Sequence, residues 1–117
     1  IPGPSALSSA ISLSGISAAT FTFLGFIPHK KGRKTILKKV SESNDTHVFY
    51  ESTHRLKKAL ESLAEYNPDR YVVVAKELTK IHEQVVRGTA KEVLEYFIEN
   101  EDRIRGEFVV LTGEKLK

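Results

Sequence analysis

A chain of 117 residues without a cysteine is long enough for one domain with one core, and it excludes a disulfide framework or a thiolate metal site. Its 18 basic and 15 acidic side chains leave a net charge of +3, too small by itself to select nucleic acid over other partners. No apolar run approaches the roughly 20 residues of a membrane helix and Ile1 to Ile16 lacks the basic start of a secretory signal, so a cytoplasmic protein with no membrane partner is expected.

In chain order, Ile1-Pro2-Gly3-Pro4 is a turn, and Pro4 at a first helical position opens a short helix that turns Ala6, Leu7, Ala10 and Ile11 inward before Gly15 stops it. Phe21 to Phe26 reads as a strand of alternating aromatic and smaller residues, closed by Pro28. The loop from His29 to Lys34 leads into a helix with Ile36, Leu37 and Val40 on one face, which Ser43-Asn44-Asp45 ends. Thr46 to Tyr50 is a second strand. Leu56, Ala59, Leu60, Leu63 and Ala64 then form one apolar helical stripe, and Asn67-Pro68-Asp69 turns the chain into the continuous apolar run Tyr71 to Ala75, expected to be the central strand. Gln84 to Arg87 makes a shorter strand, Thr89 with Glu92 forms a capping box before a helix burying Val93, Leu94, Phe97 and Ile98, and Glu107 to Thr112 is the last strand. Five strands interleaved with four helices predict an α/β fold, a layered domain with a five-stranded mixed sheet flanked by helices.

Two stretches end a strand and pass at once into ionisable and hydroxyl side chains, the arrangement found where a sheet borders a binding crevice. After the second strand come Glu51, Ser52, His54 and Arg55, at a helix start whose free N–H groups favour anions; alternatively Ser52 is simply the N-cap. After the third come Lys76, Glu77, Thr79 and Lys80, which could position a hydroxyl substrate or form a solvated ion network. Glu51 and Glu77 are the candidates for a general base, provided burial raises a carboxylate's pKa. The loop His29-Lys30-Lys31-Gly32-Arg33-Lys34 suits phosphate contacts, or is a solvated approach to its helix. His29, His47, His54 and His82 show no metal spacing, so no metal site is expected. There is no G-x-G-x-x-G, P-loop or nucleophile elbow.

Pro2-Gly3-Pro4-Ser5-Ala6, Gly25-Phe26-Ile27-Pro28-His29-Lys30-Lys31, Phe49-Tyr50-Glu51-Ser52-Thr53-His54-Arg55, Glu77-Leu78-Thr79-Lys80, Arg87-Gly88-Thr89 and Gly106-Glu107 occur in the order seen in one family. By these motifs the chain resembles the C-terminal half of the ribosomal RNA small subunit methyltransferase I family, within the tetrapyrrole methylase superfamily. The resemblance implies a two-domain enzyme that uses S-adenosylmethionine to methylate the ribose 2′-oxygen of a cytidine in small-subunit ribosomal RNA. The cofactor would lie in a cleft shared with an N-terminal domain that this chain lacks, as a sequence opening on Ile1 with no methionine also suggests. Alone, the chain should not catalyse.

Carried over by motif, Pro4, Ser5, Ala6, Phe49, Tyr50, Leu78 and Thr79 are implied cofactor contacts. Glu51 and Glu77 are implied to orient the reacting hydroxyl or accept its proton. Lys30, Lys31, Arg33, Lys34, Arg55 and Lys80 are the implied RNA contacts. Thr53 stands where the family commonly has proline, and His29 where it often has arginine. Lys76 stands where arginine is common, so a bidentate contact cannot be carried over to that position. The expected partners are small-subunit ribosomal RNA, the N-terminal domain and a second copy in a homodimer. Two other readings stay open: a relative that methylates a corrin or porphyrin, and a non-catalytic domain that binds RNA or protein.

Overall fold

The computed structural model describes residues 21–28, 30–43, 45–76, 85–104 and 106–113. The strands are β1 (Phe21–Phe26), β2 (Thr46–Ser52), β3 (Tyr71–Lys76), β4 (Val85–Thr89) and β5 (Glu107–Gly113). The helices are α1 (Arg33–Glu42), α2 (Leu56–Tyr66) and α3 (Ala90–Glu99), followed by a 3-10 turn at Glu101–Arg103. The helix expected after Pro4 falls outside the described residues.

The strands form one mixed sheet in the order β1-β2-β5-β3-β4. β1 runs parallel to β2, and every other pairing is antiparallel. β2 and β3 therefore point the same way on either side of β5. The apolar run Tyr71 to Ala75 is interior, as its composition demands, but the middle of the sheet is β5, the last strand in sequence. β4 lies slightly later than expected because Gly88 and Thr89 continue the ladder opposite Val72 and Tyr71.

Alternation along the strands sorts the core into two layers. Phe49, Val72, Val74, Phe108 and Val110 face the helices and pack with Leu37 and Val40 of α1, Leu56, Leu60 and Leu63 of α2, and Val93 and Phe97 of α3. Val48, Val73, Ala75, Val109 and Leu111 form a smaller cluster on the opposite face. Both faces of β2, β3 and β5 are thus buried, which is why these strands read as nearly unbroken apolar runs.

Local chemistry fixes the element ends. Gly25, with φ of 66°, sits where the β1–β2 register skips between Phe23 and Gly25; only glycine takes that left-handed backbone without strain. α3 opens on the expected capping box, the Thr89 N–H donating to Glu92 Oε1 at 2.9 Å and the Glu92 N–H to Thr89 Oγ1 at 3.2 Å. Ser52 is not an N-cap: it is the last residue of β2, and Arg55 occupies the cap position of α2.

Candidate functional site

Because β2 and β3 run the same way, both sequence-flagged strand ends reach the same edge of the sheet. Glu51 and Lys76 each pair with Phe108, one from either side, so the three form a row on the helix-covered face. The strand spacing puts the Glu51 and Lys76 backbones about 10 Å apart. The fold therefore brings the start of the second stretch to the first, with an aromatic ring between.

Glu51 is 1% exposed. A carboxylate so enclosed needs a partner, and Arg33 Nη2 donates to Glu51 Oε2 at 2.6 Å. The same guanidinium donates to the carbonyls of Pro28 at 3.4 Å and Arg55 at 3.3 Å. Arg33, expected at the surface among the loop cations, is thus drawn under them, because Glu51 and two main-chain oxygens converge where its fork can satisfy all three. Glu51, expected to orient a substrate or accept its proton, has an oxygen already occupied by a permanent cation.

Around this pair the exposed chemistry is cationic. Lys30 and Lys31 lie exposed on the turn before α1, which Gly32 permits with φ of 85°. Lys34 and Lys38 follow on α1, one helical turn apart, with Lys39 beside them, all exposed. Across the Arg33–Glu51 pair lies the second turn. There the Arg55 Nη1 donates to Ser52 Oγ at 2.8 Å, and the Thr53 hydroxyl donates to the Gly106 carbonyl at 2.7 Å, tying the turn to the start of β5. His54 is exposed.

The expected cofactor contacts fare unequally. Phe49 is fully buried and lies between Gly25 and Val110 in the sheet, so its side chain packs in the core. Tyr50 points to the other face, where its ring meets Phe23 at 5.2 Å and Phe26 at 5.4 Å. With Phe23 and Phe26 47% and 55% exposed, this is a partly exposed aromatic cluster whose rings are set edge-on and tilted to one another. Pro4, Ser5, Ala6, Glu77, Leu78, Thr79 and Lys80 lie outside the described residues. Lys76 is half-buried and borders a small void with Val86, Tyr96 and Phe108. An apolar groove of about 380 Å³ between β1 and α1, with Lys39 and His47 among its lining, is the larger cavity.

Sequence reasoning missed two arrangements. The burial of Arg33 had one signal, an arginine straight after glycine at a helix start with no acidic residue in the first turn. Lys38 extends the lysine face, as the i, i+4 spacing from Lys34 allows, and Lys39 lies beside it toward the groove between β1 and α1. Among the described residues no group of three or more His, Asp or Glu could hold a metal ion.

A mixed sheet with helices layered on it and polar chemistry collected at one strand-end edge defines a layered α/β domain with a candidate crevice at that edge. The chain matches the family model described as Tetrapyrrole (Corrin/Porphyrin) Methylases over residues 1–94, and it belongs to that family. It is 40% identical over 116 residues to the ribosomal RNA small subunit methyltransferase I of Thermotoga maritima, covering 98% of this chain and 51% of the relative. To the protein of the same name from Bacillus subtilis it is 42% identical over 112 residues, covering 95% and 38%. The chain thus spans about half the length, or less, of such relatives. Among solved structures it resembles cobalt precorrin-4 methyltransferase, CbiF (TM-score 0.63, 22% identity, 96% of this chain and 48% of that one). It also resembles a uroporphyrin-III C-methyltransferase from Thermus thermophilus complexed with S-adenosylhomocysteine (TM-score 0.54, 17% identity, 83% and 42%). At these identities the likeness is one of fold.

Proposed function

We propose that this chain is the C-terminal half of an S-adenosylmethionine-dependent methyltransferase that modifies the ribose 2′-oxygen of a cytidine in small-subunit ribosomal RNA. The observation that carries the reading is the set of exposed lysines, Lys30, Lys31 and Lys34 beside the strand-end edge, with Lys38 and Lys39 further along α1. Cations so placed suit a polyanionic backbone, and they argue against a corrin or porphyrin, for which an apolar crevice free of exposed cations would be expected. The relatives named for ribosomal RNA methylation align with 95–100% of the chain, which supports the same substrate class.

The cofactor supplies an electrophilic methyl on a sulfonium. The protein's part is to hold the ribose hydroxyl in line with it and to keep the RNA from shifting. Tyr50, with Phe23 and Phe26 around it, is the described residue best suited to meet the cofactor's purine. Of the two candidate carboxylates, Glu51 serves orientation, through Arg33, and proton acceptance falls to Glu77. Lys30, Lys31 and Lys34 contact phosphates, with Arg55 and Lys80 completing the RNA surface. The reading includes a cofactor cleft shared with an N-terminal domain, a homodimer and a cytoplasmic site of action.

The test is methyl transfer by the complete gene product from labelled S-adenosylmethionine to small ribosomal subunits. Label should enter ribosomal RNA and make one linkage resistant to alkaline cleavage, because a methylated 2′-oxygen cannot attack its own phosphate. Label on a base, or on a tetrapyrrole and not on RNA, would overturn the reading.

A further inference from the structure

Arg33 breaks a local rule. It is the first residue of α1, where unpaired N–H groups disfavour a cation, and no acidic residue stands in that first turn to offset it. The compensating charge comes instead from another strand, through the Glu51 carboxylate at 2.6 Å. A buried ion pair is a poor device for stability alone, since an apolar pair of similar volume often serves as well or better. Sequences that give up local consistency in this way tend to do so at functional positions.

What an apolar pair could not do is grip two main-chain oxygens. Arg33 donates to the Pro28 carbonyl, five residues before it, and to the Arg55 carbonyl, 22 residues after it. Pro28 leads into the turn that carries Lys30 and Lys31, and Arg55 closes the turn that begins at Ser52. One guanidinium, held in place by Glu51, therefore touches both turns that flank the strand-end edge. The second turn is braced again from behind by Thr53 on Gly106.

We propose that Arg33 is a positioning residue: with Glu51 it fixes the separation between the Lys30–Lys31 turn and the Ser52–Arg55 turn, so that both engage one RNA backbone together. The proposal rests on the RNA reading above. Phosphates recur at set intervals along a strand, so two turns neutralise neighbouring phosphates only if their own spacing is held. Affinity and its salt dependence both scale with the number of phosphates neutralised at once. The planar fork of arginine reaches the carboxylate and both carbonyls, whereas a lysine ammonium on a flexible stem would not hold the same geometry.

The experiment uses the complete gene product and two variants, Arg33→Met/Glu51→Leu, which removes both charges while keeping the site filled, and Arg33→Lys, which keeps the charge and loses the fork. Small-subunit ribosomal RNA affinity is measured across a salt series, beside S-adenosylmethionine affinity and the thermal midpoint. The double variant should stay folded, its midpoint lowered only as far as two carbonyls without their donor require, and keep its cofactor affinity, yet bind RNA about tenfold or more weakly, as expected for loss of a charge-assisted contact. Its salt slope should become shallower by about one unit, one phosphate fewer being neutralised. Arg33→Lys should shift the same way by less. A folded double variant that binds RNA within twofold of wild type, with an unchanged slope, would overturn the positioning role while leaving the RNA reading intact. If the double variant fails to fold, the proposal stands or falls on Arg33→Lys, and equal RNA affinity there overturns it. Wild-type protein that does not bind the RNA would overturn both readings.

Discussion

Arg33 and Arg70 are the two buried arginines among the described residues, and they serve opposite edges of the sheet. Arg70 precedes β3 and donates to the Thr112 hydroxyl at 2.8 Å, to the Asp45 carbonyl at 3.0 Å and to the Ser43 carbonyl. It thereby pins the α1–β2 connection to the far end of β5, at the opposite end of α1 from the Lys30–Lys31 turn. Arg70→Met should lower stability by about 2–3 kcal/mol, because it strips partners from polar groups that are largely shielded from water. Urea unfolding of the complete gene product checks this. RNA affinity should be retained in the folded fraction; a loss of affinity would mean that RNA binding merely follows stability. Neither burial was legible from the sequence. Arg33 stands in a run of cations that reads as solvated, and Arg70 follows an aspartate in a turn. What buries them is the convergence of carbonyls from segments far apart in the chain.

The elements themselves were mostly legible, since their signals are local. The alternation in β1, the apolar runs of β2, β3 and β5, and the stripe of α2 each name their structure from neighbouring residues alone. The capping box before α3 is the sharpest case, four residues specifying both a helix start and its hydrogen bonds. Thr89→Ala should cost about 1 kcal/mol, seen as a lower urea midpoint with an unchanged slope. An unaltered midpoint would show that the box is redundant with the packing of Val93 and Phe97. Where the local signals conflicted, tertiary pairing decided. Ser52 looks like a cap, but Glu107 of β5 pairs with it and extends β2 past the serine, leaving Arg55 to begin the helix. Phe49 looks like part of a ligand-facing strand end, but its alternation phase sends it into the core and Tyr50 to the opposite side.

At the scale of the whole molecule the sheet consists of two strand pairs, β1 with β2 and β3 with β4, joined only through β5. Val109, Val110 and Leu111 are at most 1% exposed, and each meets partners on both sides. Leu111→Ala should therefore cost about 2–5 kcal/mol, the range for truncating a fully enclosed aliphatic side chain. Val86→Ala on the half-buried edge strand β4 should cost only about 1 kcal/mol. Equal losses in chemical denaturation would mean that the sheet does not depend on its middle strand more than on its rim. This centrality was not legible, because the apolar run of β3 is as long as that of β5 and no local residue pattern states which strand lies between which.

The position of β5 also orders events during synthesis. Ribosomes deliver the chain from its amino end, so β2 and β3 are made while the strand that belongs between them does not yet exist. The 54 residues between Ser52 and Glu107 take on the order of 3–10 s to translate. Through that interval the facing side of β2, joined by that of β3 once Lys76 has been added, carries unsatisfied main-chain groups open to pairing with any other extended chain nearby. Insertion of β5 closes both at once, so a nascent chain arrested before residue 107 is an aggregation hazard in a way that a chain a few residues longer is not.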